Sequence, residues 1–159
     1  MSKKIKNKKG FTLVELLVVV IIIGVLSAIA LPQYFKALDK ARFVQVQTFV
    51  ESLVRAEESY FLLNGEYTTN INALDVDIPN IKESKCRIYQ STPPSPICYL
   101  YKNNKRFVSL QIFPQSRREF CMSYSDTNFA GDELCMSAMN TSTTYYENTE
   151  RREYKKPYK

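Results

Sequence analysis

Two hydrophobic patterns follow each other in the first 64 residues. From Phe11 to Leu31 the sequence reads FTLVELLVVVIIIGVLSAIAL and is almost wholly apolar. As a helix this stretch would be roughly 31 Å long, enough to cross the hydrocarbon core of a bilayer. Over residues 32–64 apolar residues instead recur at three- and four-residue steps, which predicts an amphipathic continuation of the same helix. Gly65 is expected to end it.

The second half of this helix needs a partner for its apolar stripe. The stripe consists of Phe35, Leu38, Val46, Phe49, Val50, Leu53, Tyr60 and Phe61. Charged residues such as Glu51 and Glu58 fill much of the opposite surface. We expect residues 65–159, the globular part of the same chain, to cover the stripe.

The globular part shows the short β-rich runs of an antiparallel sheet. Strands are predicted at residues 86–90, 98–101, 106–113 and 118–124, with a hairpin turn at 102–105. Because proline cannot donate to a strand ladder, the STPPSP run from Ser91 to Pro96 is expected to form a loop outside the sheet. The predicted fold class is α+β: a long N-terminal helix, membrane-spanning in its first half, packed against a small antiparallel sheet.

Two further elements are expected near the C-terminus. Ser125 and Asp126 can cap a short helix that runs to about Met139. The polar tail from about Thr141 is expected to be solvated or loosely packed. Its basic residues and its tyrosines (Tyr145, Tyr146, Tyr154 and Tyr158) also leave open a contact with DNA, although Glu147, Glu150 and Glu153 dilute the positive charge.

Composition argues against an enzyme and against a metal centre. The chain has no histidine, which removes the commonest general base and the commonest metal ligand. The net charge is +6, but five lysines lie in the first ten residues, and without them the charge is about +1. We therefore predict no catalytic, cofactor-binding or metal-binding residue, and the high pI is weak evidence for nucleic-acid binding.

The chain has four cysteines, Cys86, Cys98, Cys121 and Cys135, all beyond the apolar segment. An even number in an exported domain favours disulfide bonds, whereas a zinc site would favour C-x-x-C pairs, which are absent from the sequence. Four cysteines allow three pairings. We favour Cys86–Cys98 and Cys121–Cys135, because each closes a local loop between adjacent elements.

The first ten residues, MSKKIKNKKG, form a basic leader without an apolar core of its own. A secretory signal is cut after its apolar region, but here the small-residue junction, Gly10–Phe11, comes before it. Cleavage there would keep the helix and expose a new amine on Phe11. The lysines hold the N-terminus on the cytoplasmic side, so everything after Leu31 is expected outside.

Two residues inside the apolar segment and one directly after it stand out. Glu15 is a carboxylate that costs several kcal/mol in lipid unless it is paired or protonated. With no Lys or Arg between Phe11 and Pro32, we expect it to pair with the new amine of Phe11, its own or a neighbouring subunit's. Gly24 and Pro32 weaken the helix between them, so this stretch is expected to bend or unwind.

The run KKGFTLVELLVVVIIIGVLSAIALPQY resembles the signal of type IV pilins and of the pseudopilins of type II secretion. The resemblance rests on Gly10, Phe11, Thr12, Leu13, Glu15 and Pro32 and covers about the first 60 residues. It implies cleavage after Gly10 by a prepilin peptidase, N-methylation of Phe11, assembly guided by Glu15, and helix unwinding near Gly24. The cysteines near the C-terminus resemble, more loosely, the disulfide-bounded region of pilins.

The function expected from this resemblance is that of a type IV pilus subunit, which motility, adhesion or DNA uptake could use. Its partners would be copies of itself, the inner membrane, the prepilin peptidase and the pilus assembly platform. The precursor would reside in the inner membrane with a periplasmic globular domain, and the product in an extracellular pilus. Alternatives are a type II secretion pseudopilin, a DNA-binding competence pilin and an isolated single-span protein.

Overall fold

A computed structural model describes residues 10–141 and 146–156, apart from the side chains of Asp126 and Tyr146. Residues 1–9 of the predicted leader lie outside the described residues, as do Tyr145 and Tyr158 of the tail. The chain divides into two compact units, with the boundary between Asp39 and Lys40. The first unit holds the apolar half of the long helix, and the second holds the rest of that helix and the sheet.

The predicted α+β fold class is confirmed. The elements are helix α1 (Leu13–Asn64), strands β1 (Ser84–Tyr89), β2 (Ser95–Lys102), β3 (Lys105–Ile112) and β4 (Glu119–Tyr124), helix α2 (Asp132–Met139), and strands β5 (Tyr146–Glu147) and β6 (Arg151–Lys155), with short 3₁₀ turns at Ile71–Ala73 and Ser125–Thr127. The strands form one antiparallel sheet in the order β1-β2-β3-β4-β6-β5. Helix α1 ends where Gly65 takes a left-handed φ of 79°, a conformation that glycine adopts without strain.

The core of the second unit lies between α1 and one face of the sheet. Its α1 members are Phe43, Val46, Phe49, Val50, Leu53 and Val54, and the facing sheet residues include Cys98, Leu100, Val108, Leu110, Ile112 and Cys121. The predicted stripe was wrong at its start, because Phe35 is 56% exposed. Phe43 is the first fully buried residue of the helix instead.

One charged side chain lies within this apolar stripe. Glu57 follows Leu53 and Val54 by one helical turn and is completely buried. Its Oε2 accepts a hydrogen bond of 3.3 Å from the Thr68 backbone N–H, and its Oε1 has no partner among the described residues. Desolvation by burial raises the pKa of Glu57 to about 6, against the lowering effect of the Thr68 hydrogen bond.

This burial predicts that stability falls as pH rises. A carboxyl group whose folded-state pKa is raised from 4.5 to about 6 favours the folded state fully below pH 4.5 and loses that contribution as pH passes 6. The loss is on the order of 2 kcal/mol. We expect Glu57→Gln, which cannot ionise, to gain thermal stability relative to the parent chain between pH 4.5 and pH 7.5. Unfolding midpoints of both proteins, followed by circular dichroism in detergent micelles, measure this. A difference independent of pH would contradict it.

The hairpin predicted at residues 102–105 lies between β2 and β3. Asn103 and Asn104 both have positive φ, 53° and 62°, the combination that a two-residue hairpin turn requires and that asparagine tolerates. The prediction for Ser91–Pro96 was wrong in its last two residues, because Ser95 and Pro96 begin β2. Pro96 is opposite Ile88 of β1, and the pairing of β2 with β3 starts only at Ile97. The proline therefore removes no hydrogen bond from the β2–β3 ladder.

The C-terminal region differs most from the prediction. The short helix begins at Asp132, after a 3₁₀ turn and a left-handed stretch at Asn128 and Phe129. The expected loose tail is wrong for Arg151–Lys155, which form β6 between β4 and β5. Tyr154 of this strand is 2% exposed and belongs to the core.

Ion pairs fasten this last strand to its surroundings. The guanidinium Nη1 of Arg152 lies 2.6 Å from Asp132 Oδ2 of α2, and its Nε lies 2.7 Å from Glu147 Oε1 of β5. Lys156 pairs with Glu119 at 2.9 Å. These carboxylates neutralise cations that the tail would need for a DNA contact.

Candidate functional site on the N-terminal helix

The predicted cleavage junction lies just before α1. Gly10 and Phe11 are non-helical, and Phe11 is 79% exposed. A Cβ added at Gly10 would meet no atom within 4 Å. The junction is therefore exposed at Phe11, and packing against the described residues does not require glycine at residue 10.

The first turn of α1 contains a reciprocal capping arrangement. The Glu15 backbone N–H donates to Thr12 Oγ1 at 3.2 Å. In return, the Thr12 backbone N–H and hydroxyl donate to Glu15 Oε2 at 2.9 Å and 2.8 Å. This is the capping box that Thr-x-x-Glu forms at the start of a helix, in which each residue satisfies a donor of the other.

The capping box gives Glu15 a partner that our sequence analysis did not foresee. We expected only an amine to compensate this carboxylate, although Thr12-Leu13-Val14-Glu15 before an apolar run is itself a sequence signal for a capping box. Both Thr12 donors bind Oε2, and no described residue binds Oε1. The structure thus holds the carboxylate in place and leaves one oxygen available to a further donor.

The apolar half of α1 is uncovered in this single chain. Leu13 is 87% exposed, and the large apolar residues from Val14 to Leu31 are 45–67% exposed. Among the described residues, α1 is the one helix long and apolar enough to cross a membrane. Burying so many side chains at about 1.5–3 kcal/mol each is worth tens of kcal/mol. This surface requires lipid or other apolar helices around it.

The stretch from Gly24 to Pro32 is α-helical throughout, so the single chain is not unwound there, and the bend that the sequence offered as the other outcome stays a prediction. A lone proline removes one backbone hydrogen bond, and the flanking turns can keep the helix continuous. A Cβ added at Gly24 would meet no atom within 4 Å. No packing in the single chain therefore accounts for a glycine at this position.

The four cysteines belong to the globular unit. Cys86 of β1 is bonded to Cys98 of β2, directly opposite it in the register, and Cys121 of β4 is bonded to Cys135 of α2. These are the two pairs that we favoured from the sequence. Within residues 10–141 and 146–156, no group of three Cys, Asp or Glu side chains is placed to hold a metal ion.

Comparison with known proteins finds similarity to a sequence motif and to several pilus proteins. Residues 5–31 match the prokaryotic N-terminal methylation motif. The chain is 39% identical over 69 residues to the type IV wide pilus major component PilA4 of Thermus thermophilus. It is 36% identical over 68 residues to the type IV major pilin PilA of Myxococcus xanthus and 40% identical over 70 residues to a fimbrial protein of Pseudomonas aeruginosa.

These matches cover only part of each protein. They span 43%, 43% and 44% of this chain, and 53%, 31% and 46% of the three relatives. No solved structure matches the chain. The names of these relatives are those of pilus components, which agrees with the prediction that the chain is not an enzyme.

Proposed function

We propose that this chain, whose N-terminal part carries the methylation motif of the type IV pilin family, is a structural subunit of a type IV pilus. The observation that carries the proposal is the uncovered apolar half of α1, placed directly after the Gly10–Phe11 junction. In the precursor, lipid covers this surface. After export, the same segments of neighbouring subunits must cover this surface, because exposing apolar side chains to water is unfavourable.

The mode of assembly follows from the position of this surface in the chain. All copies carry the same apolar helix half, so each copy both supplies and covers apolar area. A contact that repeats without closing into a ring gives a helical filament. The apolar helices would form its core, and the units beginning at Lys40 its outer layer.

The processing steps that we propose use the residues of the junction. A prepilin peptidase cuts between Gly10 and Phe11 in the inner membrane, and Phe11 is methylated on its new amine. Glu15 then accepts a hydrogen bond from the amine of a neighbouring subunit through Oε1, while Thr12 keeps Oε2. We further propose that the helix unwinds between Gly24 and Pro32 as the subunit enters the filament, with the assembly platform as the site of insertion.

Expression in a piliated bacterium that lacks its own major pilin tests this function. We expect filaments sheared from the surface to contain this chain with an N-terminal methylated Phe11, identified by mass spectrometry. Gly10→Val is the matched control. A Cβ at residue 10 meets no described atom within 4 Å, so the substitution should not disturb packing in the described part of the protein. It is expected to block cleavage by the peptidase, so the uncut precursor should stay in the membrane fraction.

Two outcomes would contradict the proposal. A chain that keeps residues 1–10 in the wild-type protein would refute processing. A processed chain that forms only short periplasmic filaments, and never surface filaments, would point to the pseudopilin alternative.

A further inference from the structure

The sheet face opposite the α1-packed core carries a groove of about 440 Å³, within the range of small-ligand sites. Its floor is formed by Ile97, Met122 and Tyr124, each 4% exposed, which make a second apolar cluster separate from the main core. Tyr99 and Phe120 pack against this cluster. The floor is therefore apolar, and together with Tyr99 and Phe120 it includes three aromatic side chains.

The β1 side of the groove is positively charged. Lys85 and Arg87 project from β1, and Arg106 lies with them around an adjoining depression of about 310 Å³ whose described lining contains no acidic residue. Arg87 donates to the Tyr99 hydroxyl at 3.1 Å, and its guanidinium lies 5.4 Å from the Tyr99 ring centroid. In the described part of the chain, neither Lys85 nor Arg87 forms an ion pair with a carboxylate. These contacts hold Arg87 in place with its charge uncompensated.

The β6 side of the groove carries carboxylates as well as a cation. Glu150 and Glu153 line it, and Glu153 pairs with Arg151 at 2.8 Å. Gln111 lies between the two sides on β3, opposite Ile97 in the register. The groove lining therefore carries Arg87 over β1, Arg106 and Gln111 over β3, and Glu150 with the Arg151–Glu153 ion pair on the β6 side.

We propose that this groove binds a short acidic saccharide, with one carboxylated sugar over β1 and neutral sugars over the aromatic floor. The guanidinium fork of Arg87 matches a carboxylate, and Lys85 adds a second positive charge. The flat aromatic side chains of the floor suit the apolar faces of pyranose rings. Gln111 and Glu153 can bind the sugar hydroxyls.

Two other kinds of ligand fit the groove less well. A nucleic acid carries phosphates at regular intervals, and some of them would meet Glu150 and Glu153. A peptide strand needs free backbone groups, but apart from the edge strand β1 the groove lies over β2, β3, β4 and β6, whose backbone groups pair with a strand on each side. The site lies wholly in the unit that follows Asp39, so the inference stands independently of filament formation.

The test is binding by the full-length mature chain in micelles of a polyoxyethylene detergent, which has neither sugar nor charge. Isothermal titration compares 3′-sialyllactose, which carries one carboxylated sugar, with lactose, its neutral body. We expect the acidic trisaccharide to bind about tenfold or more tightly than lactose, because only it can engage Arg87.

Variants of Arg87 and Lys82 distinguish binding in the groove from non-specific attraction between the sugar's negative charge and the positively charged surface. Arg87→Gln should lower the affinity for 3′-sialyllactose about tenfold or more, and Arg87→Lys should lower it less, since lysine keeps the charge without the fork. Lys82→Gln is the matched control, because Lys82 is also an exposed cation near β1 but does not line the groove. Arg87 is exposed, so thermal unfolding of its variants should match that of the parent chain.

Several results would overturn the inference. They are equal affinities for the two sugars, no binding of 3′-sialyllactose at millimolar concentration, and an unchanged affinity in Arg87→Gln. An oligothymidylate that binds more tightly than the trisaccharide, with loss in Arg87→Gln, would assign the groove to nucleic acid instead. If Arg87→Gln loses structure, Tyr99→Phe is the variant to test in its place. It removes only the hydroxyl that Arg87 contacts and should weaken the binding of 3′-sialyllactose.

Discussion

Replacing Glu15 by alanine is expected to lower the filament yield about tenfold or more, the effect of losing about 1.4 kcal/mol per subunit contact. The variant loses the Glu15 half of the capping box and the carboxylate that would receive a neighbour's amine. Insertion and cleavage should proceed, because the apolar segment and the Gly10–Phe11 junction are intact. The measurement is the ratio of sheared filament protein to processed membrane protein.

Glu15→Gln separates the two roles of this side chain. Its amide oxygen can still accept from Thr12, so the capping box survives, but the negative charge is gone. We expect Glu15→Gln to assemble almost as poorly as Glu15→Ala. Full assembly of the glutamine variant would show that capping, rather than charge pairing, is the function of Glu15, and a normal yield from Glu15→Ala would refute both.

Loss of the Cys121–Cys135 disulfide is expected to be the largest single stability effect in the globular unit. The loop that it closes, with a sequence separation of 14, is worth about 3 kcal/mol by chain entropy. Both cysteines are fully buried in the core. An eight-residue helix such as α2 has little stability of its own. We expect Cys121→Ala/Cys135→Ala to lower the unfolding midpoint by roughly 10 °C and to remove amide protection from α2.

Cys86→Ala/Cys98→Ala is the control for this prediction. The loop length is similar, with a separation of 12, but β1 and β2 are already paired along six register positions. We expect a smaller loss of stability and unchanged protection of α2. Equal decreases of the unfolding midpoint in the two double variants would contradict the expectation that α2 depends more on its disulfide than the paired strands β1 and β2 do on theirs.

Local signals in the sequence were sufficient for much of this fold. The second half of helix α1 could be predicted from apolar periodicity, and its end at Asn64 from the following Gly65. These signals are local, because helical hydrogen bonds join residues only four apart. The hairpin at Asn103 and Asn104 follows in the same way, since its turn depends on the conformations of two adjacent residues. The candidate site is equally local, because the junction and Glu15 lie within six residues of each other.

The misses share a physical cause, which is contact between residues distant in the chain. Pro96 can enter β2 because it pairs only with Ile88 of β1, while the pairing of β2 with β3 begins at Ile97, and this depends on the register of three strands. Burial of Glu57 depends on the loop that brings Thr68 back to α1. Strand β6 pairs Arg151–Lys155 with Phe120–Tyr124 across about thirty residues. Its charged residues give no period-two pattern from which the one buried residue of this strand, Tyr154, could be predicted.

By itself, the sequence determined an apolar helix that water does not tolerate, a Gly10–Phe11 junction before it and a carboxylate in its first turn, because each of these is a property of neighbouring residues. The tertiary structure alone decided that the polar tail becomes a strand and that side chains from separate strands surround a charged groove. Arg87, Glu153 and the groove residues between them come together only when the sheet aligns its strands, since hydrogen-bonded pairing, rather than chain proximity, makes them neighbours.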